Sequence, residues 1–131
     1  MQIINFDNRE IAIGSLSDFS VENISTPFAI LVAAFSQQEL DEVVGLAKDL
    51  IELGCKEFCC VGVEAERLHD QLDHLIEDSG SYDIVTTWHD NLVEGCEYLL
   101  FGAGGQQIAL FGLVSKHPEI LEALKKAAQT D

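Results

Sequence analysis

Continuous apolar stretches alternate along this chain with stretches in which apolar residues recur every three or four positions. The run Phe28–Phe35 is apolar throughout, which is typical of a strand that is buried on both faces of a sheet. The residues after it place leucine, valine and alanine on one side of a helix, between a capping box at Ser36–Glu39 and Gly54. These two patterns predict a strand followed by an amphipathic helix.

The same alternation continues to the end of the chain. Further strands are predicted over 56–63, 82–88 and 108–114, and further helices over 66–80, 91–104 and 117–130. The stretch 91–104 is ambiguous, because Tyr98–Phe101 also suits a strand. The spacing of its apolar residues favours a helix with Asp90 as the N-cap, although Gly95 inside it costs about 1 kcal/mol. Pro118 lies in the first turn of the last helix.

Strands that alternate with helices predict an α/β protein, and residues 1–131 are enough for a single domain. We expect three layers, with helices on both faces of a mostly parallel four-stranded sheet. Its expected order is 2-1-3-4, a shortened flavodoxin-like or Rossmann-like arrangement with right-handed crossovers. Residues 1–27 are the least regular part. Within them, Ile11–Ile13 suggests a short edge strand, which could pair with a second copy of the chain in a homodimer.

Composition and charge exclude several classes of protein. With 47% hydrophobic residues the chain is not disordered, and 23 acidic against 7 basic residues give a net charge of −16. This charge argues against nucleic acid or an anionic membrane as a partner, because phosphate binding needs clustered lysine and arginine. We find no signal-peptide pattern and no apolar run near the roughly 18 residues of a membrane span. The cysteines form no Cys-x-x-Cys pair, so we expect reduced thiols that pack in the core of a cytoplasmic protein.

Polar residues that follow the predicted strands form one candidate site. Ligands of open α/β sheets bind beyond the carboxyl ends of the strands, where the strand order reverses. In the most suggestive cluster there, His89 would be a general base near neutral pH and Asp90 would orient its ring beside Trp88. The candidate ligand-binding residues are Ser36, Glu64, Thr87, Trp88, His89 and His117. A structural interpretation is favoured, in which Trp88 fills the end of the sheet, Asp90 caps the next helix and His89 bonds a loop carbonyl.

Other site patterns are weak in this sequence. Gly102–Gly105 resembles the start of a dinucleotide-binding loop, but Gln107 stands where the third glycine belongs and basic support for a phosphate is missing. His69 and Asp73 have the spacing of a weak surface metal site, although solvated helix surface is the favoured interpretation. We therefore expect no cofactor and no metal.

A long stretch of the chain is acidic without any compensating cation. No lysine or arginine occurs between Arg67 and Lys116. In the order 2-1-3-4 the second and third helices lie side by side, so we expect one contiguous acidic surface that attracts a basic protein. Its partner-binding residues are Asp70, Asp73, Glu77, Asp78, Glu94 and Glu97. The alternative is that this charge only keeps the protein soluble.

Three segments occur together in a recognisable way. Thr26-Pro27-Phe28 precedes the first main strand, Glu52-Leu53-Gly54-Cys55 ends the first helix, and Val85-Thr86-Thr87-Trp88-His89-Asp90 ends the third strand. Over roughly residues 24–114, this combination resembles a family of small uncharacterised bacterial proteins, a domain of unknown function. The most specific element of the resemblance is Thr-Thr-Trp-His followed by an acid. The resemblance implies a helix over 91–103 and a C-terminal helix that is an addition to the family, and it carries no activity.

Two functional hypotheses follow. The favoured one is a non-catalytic interaction module, of an immunity or regulatory type, that presents its acidic surface to a basic protein. The alternative is a small hydrolase or ligand-binding enzyme in which His89 is the base and Asp90 orients it, with Ser36, Glu64 and His117 completing the pocket. Both depend on the predicted strand order, because that order brings the helices and the strand ends together.

Overall fold

The computed structural model describes residues 2–7, 9–15, 25–81, 83–104, 108–114 and 116–129. The strands are β1 (Gln2–Phe6), β2 (Arg9–Ile13), β3 (Phe28–Ala33), β4 (Cys55–Val61), β5 (Val85–His89) and β6 (Ala109–Leu113). The helices are α1 (Gln37–Leu53), α2 (Ala65–Ser79), α3 (Leu92–Phe101) and α4 (Pro118–Gln129). Strands and helices alternate from β3 onward, which confirms the predicted α/β class.

The strands form one mostly parallel sheet in the order β1-β2-β6-β3-β4-β5. Among the described residues, the pair β1–β2 is antiparallel and the other four neighbouring pairs are parallel. The four predicted strands correspond to β3, β4, β5 and β6, and they stand in the order 3-2-1-4. The predicted order 2-1-3-4 is therefore wrong, and the sheet has six strands instead of four. The order reverses between β3 and β6.

The polarity of the strands explains this order. The central strand β3 is buried along its whole length, and the middle of β6 is buried as well. Strands covered on both faces are apolar in this way. By contrast, β5 contains Thr86, Thr87 and His89, is at most partly buried, and lies at an edge of the sheet. The predicted order placed this polar strand between two neighbours.

The N-terminal segment is more regular than predicted. Strands β1 and β2 form an antiparallel hairpin, and β2 pairs on its other side with β6. Ile11–Ile13 is therefore a strand, as expected, but an interior one, so its backbone is not exposed for the homodimer contact. The polar stretch expected over 15–26 falls mostly outside the described residues, which omit 16–24.

Local signals set the ends of α1 as predicted. The Ser36 side chain accepts a hydrogen bond from the Glu39 N–H at 3.2 Å, so it is the N-cap. Gly54 ends the helix with a left-handed φ of 113°. The bounds of α2 and α4 also agree with the prediction to within one residue. Within the described part of the chain, no helix combines the length and apolar character of a membrane span.

The ambiguous stretch after β5 is a helix, as its periodicity favoured. Its N-cap is Asn91, whose side chain accepts a hydrogen bond from the Glu94 N–H at 3.0 Å, so the expected cap at Asp90 is wrong. Gly95 inside this helix has a packing role. A Cβ at this position would lie 2.3 Å from a methyl carbon of Val61, so glycine lets α3 approach the sheet closely.

The direction of each crossover decides which face a helix covers. From β3 to β4 to β5 the chain steps in one direction, so right-handed connections place α1 and α2 on the same face. The return from β5 to β6 reverses the step and places α3, followed by α4, on the opposite face. Accordingly, Ile30 packs in the cluster that contains Leu68 of α2, whereas Leu31 packs in the cluster that contains Leu99 of α3.

This arrangement divides the expected acidic surface. Asp70, Asp73, Glu77 and Asp78 belong to α2, whereas Glu94 and Glu97 belong to α3 on the other face of the sheet. A single contiguous surface formed by neighbouring helices is therefore wrong. The two helices instead flank the edge strand β5 from its two sides, and both contact it.

Candidate functional site

A cleft opens where the strand order reverses. The chain leaves β3 toward α1 on one face and leaves β6 toward α4 on the other, so the two connections diverge and leave a crevice between them. The cleft holds about 430 Å³, its open mouth included. It is lined by Gly14, Ser15, Ala33, Glu39, Glu42, Val43, Leu113, Lys116 and His117.

An imidazole–carboxyl pair spans this cleft. His117 Nε2 lies 2.5 Å from Glu39 Oε2, although the two residues are 78 positions apart in the sequence. The other carboxyl oxygen of Glu39 accepts the Phe35 N–H at 2.9 Å. Because Ser36 starts α1, Glu39 is held in its first turn and faces the connection after β6. The Glu39 side chain thus joins the end of β3, the start of α1 and the start of α4.

The His117 ring is held on several sides. Its Nδ1 lies 3.3 Å from Glu119 Oε1, and its face packs on Phe35 with ring centroids 4.8 Å apart. The side chain is only 17% exposed. An ionised carboxylate is an acceptor only, so both contacts are hydrogen bonds at once when both ring nitrogens carry protons. The arrangement holds the imidazole ring in a fixed position at the wall of the cleft.

The remaining lining combines opposite charges with an apolar wall. Glu42 is partly buried and accepts a 3.3 Å hydrogen bond from Gln38 through one carboxyl oxygen. Lys116 is exposed and forms no ion pair with any residue that the structure describes. Val43 and Leu113 supply apolar surface between them. The cleft therefore offers an anionic group, a cationic group and an apolar contact to one bound molecule.

The cluster around Trp88 does not belong to this cleft. Strand β5 lies three positions from β6 in the sheet, or about 14 Å at the usual strand spacing. The His89 ring packs on Tyr98 with centroids 5.4 Å apart. Trp88 is 39% exposed, so it does not fill the end of the sheet. The structure thus does not bring His89 and Asp90 together with His117, and the predicted pocket is not formed as expected.

Two of the other candidate residues near the strand ends, Ser36 and Glu64, have structural partners. Ser36 caps α1. Glu64 pairs with Arg67 at 2.6 Å, and the same arginine donates to Gln37 Oε1 at 2.6 Å, which ties the start of α2 to the start of α1. Thr87 lies on β5, and its hydroxyl is buried. Of the six residues in the expected ligand site, His117 is the one that lines the cleft.

Sequence reasoning missed Glu39 and Glu42 as site residues, and it placed Lys116 at the carboxyl edge of the sheet without including it in the expected ligand site. The signal that could have found them is the strand order, since an edge position for the polar β5 puts the reversal between β3 and β6. Residues that follow these two strands then become the site candidates. Glu39 was interpreted as part of the capping box, and its first-turn position also directs its carboxyl group into the cleft.

The comparison with known families covers nearly the whole chain. Residues 11–127 match the family described as Domain of unknown function (DUF7684). This chain belongs to DUF7684. No curated protein matches it. All residues that line the cleft fall within the matched region of this DUF7684 protein. The match also includes most of α4, so the C-terminal helix is part of the family's domain and not an addition to it.

A second polar cluster of the DUF7684 protein lies near the opposite end of the sheet. Glu57, near the start of β4, is 4% exposed. Its Oε2 accepts from the Tyr98 hydroxyl at 2.5 Å, and its Oε1 accepts from the Gly104 N–H at 2.9 Å. Burial, and next the hydrogen bond to Glu57, raise the pKa of Tyr98. This cluster anchors the end of α3 to β4. In the glycine-rich segment that resembles a dinucleotide-binding loop, Gly105 and Gln107 lie outside the described residues.

We expect Tyr98→Phe to lower the free energy of unfolding by about 1.5 kcal/mol, because the buried Glu57 carboxyl group loses one donor. Urea unfolding followed by circular dichroism measures the change. The double variant Y98F/E57Q serves as the comparison. Its loss of unfolding free energy should be smaller than the sum of the losses in Y98F and E57Q, because both substitutions act on the same contact. Strictly additive losses would show that Tyr98 and Glu57 do not interact.

The cysteines and the paired histidine do not form a metal centre among the residues described. All four thiols are unpaired and buried, which confirms the expected reduced, packed state. His69 Nε2 lies 3.5 Å from Asp73 Oδ2 on α2, in a pair whose spacing the sequence had offered as a less favoured metal site. No group of three or more metal-ligating side chains was found within the described ranges.

Proposed function

We propose that this DUF7684 protein binds a small molecule that carries both an ammonium group and an anionic group in the cleft between β3 and β6. The observation that supports this most is the His117–Glu39 pair, which joins the two diverging connections at 2.5 Å. Open α/β sheets bind their ligands at this point of the fold. The pair gives the cleft a fixed polar wall before any ligand enters.

The charges of the lining suggest the chemical class of the ligand. Both oxygens of Glu39 are already used, so the carboxyl group with capacity for an ammonium group is that of Glu42. Lys116 and His117 are the donors for an anionic group. Glu119, at 3.3 Å and 53% exposed, is the weaker partner of His117, and a ligand carboxylate can take its place at Nδ1.

The size of the cleft limits the ligand to a compact molecule. The enclosed part of the cleft measures only about 50 Å³, well below the usual range for small-molecule pockets, so a compact ligand would lie partly in the open mouth and a dinucleotide would not fit. Val43 and Leu113 contact the apolar part of the ligand. The hydrogen-bond partners of His117 are the carboxyl groups of Glu39 and Glu119, which form a polar wall suited to binding.

We test the proposal with α-amino acids and with ω-amino acids of increasing chain length, and with acetate and methylammonium as probes of a single charge. Amide chemical shifts of the labelled protein report binding. We expect some amino acids to shift the residues that line the cleft, and neither single-charge probe to do so at the same concentration. A bound ligand at about 100 times its Kd also stabilises the fold by about 2.7 kcal/mol, which raises Tm by several degrees.

Two pairs of variants separate the cleft from general charge effects. Glu42→Gln and Lys116→Met should each weaken binding about tenfold, because each removes one of the two charges that hold the ligand. The matched controls Glu52→Gln and Lys48→Met remove equal charges from exposed positions of α1 outside the cleft. Equal loss in variants and controls, or no amino acid that shifts the lining residues, would overturn the proposal.

The distribution of charge along the chain also supports a second role, the binding of a basic protein, which requires a surface other than the contiguous one first expected. The exposed Trp88 and the Thr-Thr-Trp-His-acid motif lie on the edge strand β5. This observation supports an interaction at that edge of the sheet.

A further inference from the structure

Strand β5 leaves one edge of the sheet open. Within the described residues it pairs with β4 alone, so the backbone groups on its outer side have no strand partner. Two large apolar side chains on it are exposed, Val85 at 49% and Trp88 at 39%. Proteins normally protect such an edge, because its unpaired N–H and C=O groups can pair with another chain. An open edge with exposed apolar side chains is therefore a surface for strand addition.

Acidic residues border this edge on both faces of the sheet. On one face, Asp73 of α2 accepts a hydrogen bond from the Thr86 hydroxyl, and Glu77 is exposed one turn further along the helix. On the other face, Glu94 of α3 is exposed one turn before Tyr98, whose ring packs on His89. The division of the acids between two helices thus surrounds β5 with negative charge.

The ends of the strand carry the same sign of charge. Asp83 precedes β5, and Asp90 follows it; both are exposed. Lys56 pairs with Asp83 at 2.6 Å and compensates that one carboxylate. No lysine or arginine occurs from residue 68 to residue 115, so the chain itself provides no further cation along this stretch.

We propose that β5 binds an extended segment of another protein that is rich in lysine and arginine, and that this segment adds a strand to the sheet. Successive side chains of a strand point to opposite faces. Adjacent basic residues of the added strand therefore meet the carboxylates of α2 on one face and those of α3 on the other. Backbone hydrogen bonds to β5 provide affinity, and the two rows of acids provide selectivity.

A second copy of this chain does not fit the same edge. Pairing of two β5 strands would bring the acids of α2 and α3 of both copies together, in a protein whose net charge is already −16. Like charges in such proximity oppose association. A cationic strand is instead complementary on both faces, and an arginine side chain can also stack on the exposed ring of Trp88.

The test uses a synthetic peptide of about eight residues that repeats Lys-Arg-Val-Thr, long enough to span the edge strand. The chain contains a single tryptophan, Trp88, so its fluorescence reports binding at the edge directly. We expect saturable binding that weakens about fivefold or more when salt rises from about 50 mM to about 300 mM, because the charges at the edge are exposed.

Two controls separate strand addition from simple charge attraction. A peptide of the same sequence with alternate amides N-methylated keeps its charge but loses the donors on one side, and we expect its binding to be lost. The variant Glu77→Gln/Glu94→Gln should bind the unmodified peptide about threefold or more weakly, since two exposed charges at the edge are removed. The matched variant Glu52→Gln/Glu122→Gln removes two acids from α1 and α4 and should bind it unchanged.

Several outcomes would overturn the inference. Equal binding of the methylated peptide would show attraction by charge alone. Equal weakening of binding in both double variants would show that the acids beside β5 contribute no more to binding than acids elsewhere on the protein. A dimer of the protein held through β5, detected by ultracentrifugation, would identify a second copy as the occupant. None of these results bears on amino acid binding in the cleft, so this inference and the proposed function can fail independently.

Discussion

Raising the pH from about 9 to about 10 should lower the free energy of unfolding of this protein by about 4 kcal/mol. The cause is the set of buried thiols. Burial raises the pKa of Cys55 and of Cys96 from the ordinary value near 9 to about 12, and it raises the pKa of Cys59 and Cys60 as well. Nearby Glu57 adds to the shift at Cys59.

The sign follows from proton linkage. In the unfolded chain these thiols lose their protons as the pH passes their ordinary pKa, whereas the folded protein keeps them up to about pH 12. The contribution is therefore fully present below about pH 9 and is lost progressively above it, by as much as about 1.4 kcal/mol per thiol and pH unit. Typical domains have about 5–15 kcal/mol of stability, so alkaline unfolding should occur within one or two pH units.

Urea unfolding at a series of pH values, under reducing conditions, measures this dependence. The comparison is Cys96→Ala, which lowers stability at every pH. Above pH 9 the free energy of unfolding of this variant should fall less steeply with pH, because three buried thiols contribute to the slope instead of four. The slope distinguishes the titration from the loss of packing. A stability that stays constant up to pH 11 would contradict the prediction, because the unfolded thiols must ionise below that pH.

Gly62→Ala should lower the free energy of unfolding by about 3 kcal/mol. Gly62 follows β4 with a φ of +110°, which an L side chain rarely adopts, and a Cβ there would lie 2.4 Å from the carbonyl oxygen of Ala34. That oxygen accepts the Glu64 N–H at 2.9 Å, so it cannot move away without losing a hydrogen bond. The obstacle is backbone, which relaxes less readily than the end of a flexible side chain.

The matched control is Gly80→Ala. Gly80 also has a positive φ, +76°, but nothing lies within 4 Å of the Cβ position, so its replacement should cost only about 1 kcal/mol. The difference between the two variants measures the clash together with the greater strain of a φ of +110° compared with +76°. Chemical denaturation of both proteins at neutral pH gives the two values. Similar losses of stability in the two variants would mean that the Ala34 carbonyl group moves aside without destabilising the protein.

Ala34 also connects this prediction to the cleft. It directly precedes Phe35, whose N–H binds Glu39 and whose ring packs on His117. A displacement of the Ala34 backbone by Gly62→Ala should therefore change the chemical shifts of His117 as well. The cleft is formed on the ends of rigid strands, and the geometry of its polar pair depends on how tightly those ends pack.

Most individual elements could be predicted because their signals are local. Ser36 and Gly54 mark the ends of α1 through hydrogen bonds and a left-handed turn that involve only neighbouring residues. Where two local candidates compete, the sequence is less decisive. Asp90 and Asn91 are both good N-caps, and the structure uses Asn91, whose side chain accepts the Glu94 N–H.

Local signals in the sequence were sufficient to predict the α/β class, the parallel strands from Phe28 onward, and the burial of four unpaired thiols. These properties depend on hydrophobic period, capping residues and composition, which act over a few turns of chain. The order of the strands, by contrast, depends on contacts between distant parts of the chain. From that order follow the separation of α2 from α3, the open edge at β5 and the pairing of His117 with Glu39 across 78 residues. A strand–helix unit can pack on either side of the preceding strand, so the position of each strand in the sheet is set by how whole strands bury one another.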